Sequence, residues 1–393
     1  MFKAKSITND IYYVGVNDRQ KLMFENQIPL PFGVSYNSYV IVDEKIALID
    51  TVEIPFAEIY IDKLLDVLRG RSVDYLIINH MEPDHSGSIR AIKRLFPDVK
   101  IIGNARTFKM LAGYYGIEDG LMEVTDGSTI SLGKHELKFF LTPMIHWPET
   151  MMTYDASDKA IFTGDAFGAF GALDGGVVDA DLMVNKYLDE FDRYFSNIAG
   201  KYGSPVQKAL EKMHSVQIDY ICPTHGPVWR EQIPKIIDMT NSLSRYEGKR
   251  GVVIVYASMY GNTEQMAEAI AEGLSESGEK NIMIYDVAKT DASFILTDIF
   301  RYDRLVMGSP TYNNGLFPEM ASFLLKIENR DIKHRKFSYF GSSTWSNATM
   351  RIFAAFAEKM KWEVIGTAVE EQQSLKENAY KACIALGKEL AKA

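Results

Sequence analysis

The sequence predicts a two-domain α/β protein, with a layered N-terminal half and a doubly wound parallel sheet in the C-terminal half. Three observations carry this reading. Short apolar runs of strand length alternate with amphipathic stretches along the whole chain, without low-complexity segments or a fixed-period repeat. In the first half, His80, Glu82, Asp84, His85, His146, Asp165 and His225 stand just after such runs. In the second half, three loops rich in Ser, Thr, Asn and Gly follow them.

With 393 residues, 47% of them hydrophobic, the chain can bury two or three cores. A net charge of -9 argues against nucleic acid as a partner, because phosphate binding needs a basic face. The clusters Lys249-Arg250 and Lys333-His334-Arg335-Lys336 are short and read as solvated loop faces. The segment Met1 to Ser6 lacks the apolar stretch of a signal peptide, and no run approaches the ~20 apolar residues that span a bilayer. A cytoplasmic protein with no membrane partner is therefore expected. Cys222 and Cys383 cannot form a thiolate metal centre by themselves, and Cys222 reads as a small buried filler.

In the first half, Tyr75 to Ile78, Leu137 to Leu141, Ala160 to Phe162 and Tyr220-Ile221 suit buried strands. Each ligand-type residue then sits at a strand's carboxyl end. Such ends face one side of a sheet, so residues distant in sequence converge on one cleft. The chain has seven histidines, and four belong to this set. His80-Met81-Glu82-Pro83-Asp84-His85 follows its strand directly. Alternation predicts His80, Glu82 and Asp84 on one side, with His85 turned toward a neighbouring position. Such a loop can serve two metals, and Asp165, in Thr163-Gly164-Asp165, is the natural bridge because a carboxylate has two oxygens. Four imidazoles, three carboxylates and no thiolate suit iron or manganese better than structural zinc.

Around Ser242 to Gly251 the sequence turns polar and glycine-bearing, and the expected domains are 1–248 and 249–393. Strands are predicted at Val252 to Ala257, Ile282 to Val287, Leu305 to Gly308, Phe337 to Phe340 and Trp362 to Thr367. Their spacing fits the order 2-1-3-4-5, whose switch point lies between the first and third strands. The loop Ser258-Met259-Tyr260-Gly261-Asn262-Thr263 opens the amphipathic run Glu264 to Leu274. A helix N-terminus there can hold a phosphate without lysine or arginine. Two further loops, Ser309-Pro310-Thr311-Tyr312-Asn313-Asn314-Gly315 and Gly341-Ser342-Ser343-Thr344-Trp345-Ser346, follow later strands. No Gly-x-Gly-x-x-Gly fingerprint follows a strand, which disfavours a dinucleotide.

The first-half motif is similar to that of the metallo-β-lactamase fold, with Glu82 where zinc hydrolases have a second histidine. Together with the second half, the chain resembles the flavodiiron protein family over essentially its whole length. The resemblance implies an αβ/βα sandwich carrying two non-haem iron ions, fused to a flavodoxin-like domain that holds FMN. His80, Glu82, His146 and Asp165 resemble the ligands of one iron; Asp84, His85, Asp165 and His225 resemble those of the other. Trp147 and Tyr194 match aromatic positions lining the catalytic pocket. The Ser258 to Thr263 loop resembles the flavodoxin phosphate loop, with Tyr260 at a position usually held by threonine. Met259, Tyr312 and Trp345 would flank the flavin ring, with the polar groups of 309–313 and 342–346 at its edge.

The resemblance further implies reduction of dioxygen to water, with nitric oxide reduction to nitrous oxide as the preferred or second activity. Because Cys-x-x-Cys pairs are missing from the sequence, electrons are expected from an external donor such as rubredoxin. A head-to-tail homodimer or dimer of dimers is implied, with one subunit's FMN beside the other's metals. Two other readings compete: a zinc hydrolase with a regulatory flavodoxin half, and a simple electron carrier with a metal-free first half. Metal and flavin content discriminate among all three.

Overall fold

The computed structural model describes residues 2–393 and divides into two compact units between Asn241 and Ser242. The first unit contains two large sheets and, among the described residues, two small two-stranded ones. One has seven strands in the order Lys5–Ser6, Ile11–Tyr13, Tyr39–Val42, Ile46–Ile49, Tyr75–Ile77, Lys100–Gly103 and Leu121–Glu123. Pairing is antiparallel up to Ile46–Ile49 and parallel beyond it. The other has five strands, Thr129–Ser131, Glu136–Leu141, Met151–Asp155, Ala160–Phe162 and Tyr220–Cys222, of which the last pair is parallel.

All four residues of Ile46–Ile49 are buried, as expected of a strand covered on both faces. Tyr60, Leu64 and Leu68 of helix Ala57–Leu68 pack with Leu48 and Leu76 in one core. Tyr39 and Phe162, from opposite sheets, meet at 5.2 Å between ring centroids. Asn79 ties the sheets together. Its carbonyl accepts from Met151 N at 3.1 Å, and its side-chain oxygen accepts from Thr153 Oγ1 at 2.8 Å.

Several sequence expectations need correction. The ligand-bearing strands belong to two sheets rather than one: Tyr75–Ile77 lies in the first, and the other three lie in the second. Period-two alternation also ends at Glu82, because Pro83–Ser86 forms a helical turn with Pro83 at its first position. Proline's fixed φ favours that start. The basic cluster 333–336 is a solvated face only in part: Lys333 and His334 are exposed, but Arg335 is buried and donates to the carbonyls of Ile299, Phe300 and Tyr246. Burial lowers its guanidinium pKa to about 10.

The second unit holds a mainly parallel sheet in the order Ile282–Asp286, Lys249–Tyr256, Tyr302–Tyr312, Lys336–Ser343 and Glu363–Val364. This is the 2-1-3-4-5 order. Of the expected fifth strand, Trp362 to Thr367, only Glu363–Val364 forms; a further strand, Val369–Gln372, follows it, and both pair in parallel with Lys336–Ser343. Gly366, at φ 71°, turns the chain between them. Helices Asn262–Glu276 and Glu377–Lys392 pack closely on one face, and Gly273 and Gly387 permit the approach. Among the described residues no helix is long and apolar enough to cross a membrane.

Candidate functional site

The ends of both sheets in the first unit bring all seven ligand-type residues together. His80, Glu82, His146 and Asp165 offer donor atoms within 4.8 Å of one another, and Asp84, His85 and His225 form a second such group. Asp165 faces both groups. Its Oδ2 lies 3.1 Å from His146 Nε2 and 3.6 Å from His80 Nε2. Its Oδ1 lies 2.9 Å from His85 Nε2 and 3.8 Å from His225 Nε2. Glu82 Oε2 reaches His146 at 3.1 Å and His80 at 3.3 Å, while Asp84 Oδ2 is 3.3 Å from both His85 and His225.

Residues that the sequence reading did not single out fix these ligands. Glu149 Oε1 lies 2.8 Å from His80 Nδ1 and accepts from Met81 N at 2.9 Å. The Ser35 carbonyl accepts a hydrogen bond from His225 Nδ1–H at 2.7 Å. Thr224 Oγ1 donates to Asp165 Oδ1 at 2.6 Å. Asp50 accepts from the backbone N–H groups of Asn79 and His80, and burial raises its pKa to about 6. Asp50 follows the Ile46–Ile49 strand directly, so the rule that found the ligands also points to it. Such partners orient metal-binding imidazoles and set their basicity.

The donor set fits a pair of cations. Both carboxylate oxygens of Asp84, Nε2 and Nδ1 of His85 and Nε2 of His225 are buried without a hydrogen-bond partner among the described residues. Buried polar atoms are rarely left so, and a missing ion is a standard reason. The protonation pattern agrees. Burial opposes charge on His146 and His85, but nearby carboxylates outweigh it and raise their pKa values to about 9 and about 8. Burial would raise Asp165, yet His85 and His80 hold it well below the usual carboxylate range. Positive charge belongs between these groups, and metal binding would displace the imidazole protons.

Two aromatic candidates border the cluster. Trp147 meets His80 edge-on at 5.3 Å, and Tyr194 is buried with its ring 5.5 Å from that of His225. Phe24 and Tyr36 also lie against His225, at 5.2 and 5.9 Å.

In the second unit a cavity of about 350 Å³ is lined by Ser258, Met259, Tyr260, Asn262 and Thr263 from the first loop. Pro310, Thr311, Tyr312 and Asn313 join them from the second loop, and Ser342 to Ser346 from the third. Its size falls within the range of small-ligand sites, roughly 300–1,000 Å³. Thr263 Oγ1 and Ser342 Oγ are 2.8 Å apart, linking two loops. Helix Asn262–Glu276 begins without a side-chain cap, and no lysine or arginine lines the cavity. Gly261, at φ 90°, makes the turn into that helix without lining the cavity. Ser309 is also off its wall, because its hydroxyl donates to Pro310 O and accepts from Phe317 N. Asn314 and Gln373 line the cavity although neither was singled out. Hydroxyls, amides and an open helix start suit a phosphate-bearing flavin.

A family model described as ODP family beta lactamase matches residues 34–226, and one described as Flavodoxin matches residues 254–387. A nitric oxide reductase of Moorella thermoacetica is 32% identical over 93% of this chain and 92% of its own. The flavodiiron protein from Giardia intestinalis superposes with a TM-score of 0.94, at 26% identity over 100% of this chain and 97% of that one. The chain belongs to the flavodiiron protein family. This flavodiiron protein also matches rubredoxin oxygen:oxidoreductase from Desulfovibrio gigas, with a TM-score of 0.95 and 27% identity over 99% and 98% of the two chains. Membership makes it an oxidoreductase that uses FMN and a non-haem diiron site. The β-lactamase-like sandwich and flavodoxin-like sheet expected from the resemblance are both present.

Proposed function

We propose that this flavodiiron protein reduces dioxygen to water, using electrons that reach its FMN from a separate rubredoxin-like donor. The observation that carries this reading is Asp165, whose two carboxylate oxygens each face a different histidine-carboxylate group. In this proposal His80, Glu82, His146 and Asp165 hold one iron, and Asp84, His85, Asp165 and His225 hold the other. The bound cofactors supply stored electrons, two from the iron pair and two from the reduced flavin, matching the four that dioxygen takes.

The chain's own groups orient and shield. Glu149 fixes the His80 ring, the Ser35 carbonyl fixes His225, and the Thr224 hydroxyl holds one oxygen of the bridging carboxylate. Trp147 and Tyr194 present ring carbon to the histidines and keep bulk water from their faces. Residues 258–260, 262–263, 310–313 and 342–346 would hold FMN, with its phosphate at the start of helix Asn262–Glu276.

A second activity, reduction of nitric oxide to nitrous oxide, is favoured by the similarity to an enzyme named nitric oxide reductase. It needs two electrons for each pair of substrate molecules. We further propose a head-to-tail dimer. The side chains of Tyr260 and Trp345, 90% and 87% exposed beside the cavity, are the kind of apolar surface that a partner covers. The test is consumption of dioxygen and of nitric oxide by the iron- and FMN-loaded protein, in separate anaerobically prepared assays with reduced rubredoxin. Faster dioxygen loss without peroxide supports the reading. Faster nitric oxide loss with nitrous oxide formed reverses the order of the two activities, and loss of neither overturns it.

A further inference from the structure

A second cavity, of about 20 Å³, borders the loop that carries Asp165. On the order of 10–15 Å³ is enough for one water-sized guest, so it holds about one small molecule. Its walls come from Met152, Phe191, Phe195, Val206 and Ala209, and all of these side chains are buried. Asp165 and Tyr194 close it on the side of the metal ligands.

The local backbone explains why the space exists. Helix Val184–Tyr194 runs directly into a π-helical turn, Phe195–Ala199, before helix Gly203–Met213 begins. A π-turn adds a residue to each turn and displaces its side chains from the regular packing stripe. Phe195 and Ala199, both in this turn, line the cavity.

The cavity's chemistry selects its guest. A buried water needs two to four polar partners. Here the carboxylate of Asp165 is engaged by Thr224 and His146, and the Thr240 hydroxyl donates to Ile236 O. Among the described side chains on its wall, only the Tyr194 hydroxyl, buried without a hydrogen-bond partner, remains to meet a water. Ions and polar metabolites are excluded for the same reason, whereas a neutral diatomic gas loses little on leaving water.

We propose that this cavity is a docking site from which a neutral diatomic substrate, dioxygen or nitric oxide, passes to the metal centre beside Asp165. The inference rests on the function proposed above and adds a residue-level route to it. Gas would collect against Phe191, Phe195 and Ala209, with Asp165 as the metal-binding group on the cavity wall.

Xenon, a spherical apolar probe, tests the site without turnover. Crystals of the iron- and FMN-loaded protein under xenon pressure should show one atom between Phe195 and Ala209. Xenon should also raise the KM for the gas in the wild type while leaving kcat unchanged. Filling the space with Ala209→Phe should remove the xenon and raise KM about fivefold or more, with kcat within about twofold and cofactor content kept. Ala199→Leu serves as the smaller filling variant should the first not fold. An empty cavity under xenon, or filled variants with unchanged KM, would overturn the proposal. Loss of neither gas by the wild type would instead sink the proposed function, while the xenon position still reports on the cavity.

Discussion

His80 Nδ1 lies 2.8 Å from Glu149 Oε1, and both side chains are fully buried. This contact leaves Nε2, the nitrogen that faces Glu82 and Asp165, as the one free to bind a metal. Glu149 is thus a positioning residue for a ligand that it does not replace. Partners of this kind are typically worth ~10 to 100-fold in metal affinity. Glu149→Gln should weaken iron binding by about that factor and leave FMN content unchanged. Iron titration of the chelator-stripped protein checks it, and an unaltered affinity would show that packing alone holds His80.

Asp165→Asn is expected to act more broadly. An amide keeps the shape but offers one acceptor oxygen and a neutral NH₂ group where the carboxylate has two anionic oxygens. Both donor groups lose a ligand at once, because Oδ1 and Oδ2 face different groups. Bound iron should fall below about half the wild-type amount, on the preference of iron for anionic oxygen. FMN should stay stoichiometric. Metal analysis and the flavin absorbance of one purified sample decide the matter.

The sequence made the ligands legible because each follows an apolar run, and runs such as Ala160–Phe162 do form buried strands. Asp50 obeys the same rule and was passed over because it is an ordinary carboxylate away from any histidine in sequence. Glu149 and Ser35 carry no local signal at all, since their roles arise from contacts across 69 and 190 positions of chain. Gln373 was missed because it lies just past the strand Val369–Gln372, which begins after a turn at Gly366 that a continuous strand prediction runs through. Arg335 was misread because charge clusters in sequence do not reveal which member turns inward to bare carbonyl groups.

Away from the metals, His135 joins two parts of the first unit: its Nδ1 is 2.9 Å from Asp155 and its Nε2 is 3.2 Å from Asp10. Burial opposes its charge, but the two carboxylates outweigh burial and raise its pKa above 6.5. A raised folded pKa means stabilisation that is complete below pH 6.5 and lost as pH climbs through the folded value. Asp10 is shifted oppositely: the Lys134 hydrogen bond lowers it, so its contribution is present above 3.8 and lost in acid below that. The tie is therefore strongest from about pH 4 to about 6.5. The Tm advantage of wild type over His135→Gln should be larger at pH 6 than at pH 9, by roughly 2 °C or more. Equal differences at the two pH values would mean that the imidazole contributes packing only.

Gly273 and Gly387 sit inside helices Asn262–Glu276 and Glu377–Lys392, where glycine is ordinarily unfavourable. A Cβ on Gly273 would lie 2.2 Å from Ile384 O, and one on Gly387 would lie 2.2 Å from Ile270 O. Both obstacles are backbone, so only a shift of the helices relieves them. Overpacking of this kind costs about 1–3 kcal/mol, which exceeds the helix propensity that alanine gains. Gly273→Ala and Gly387→Ala should each lower the unfolding midpoint of the flavodoxin-like unit, read by flavin release on heating. A rise would show that the helices tolerate separation.

Among the described residues the flavin cavity has no cationic side chain on its wall to recognise a phosphate. Helix Asn262–Glu276 starts at Gly261 without a side-chain cap, so its first backbone N–H groups are available to an anion, and Thr263 adds a hydroxyl held near Ser342. Binding through neutral donors leaves little long-range attraction for salt to screen. FMN affinity should therefore change little between low and high salt, while riboflavin, which lacks the phosphate, should bind at least ~100-fold more weakly, about two or three charge-assisted hydrogen bonds. Thr263→Val removes one such donor and should narrow that ratio about tenfold by weakening FMN alone. Fluorescence titration of the flavin-stripped protein with both ligands measures all of these. A steep salt dependence would reveal a cation from outside the cavity wall, and an equal loss for both flavins would show that Thr263 supports the loop rather than the phosphate.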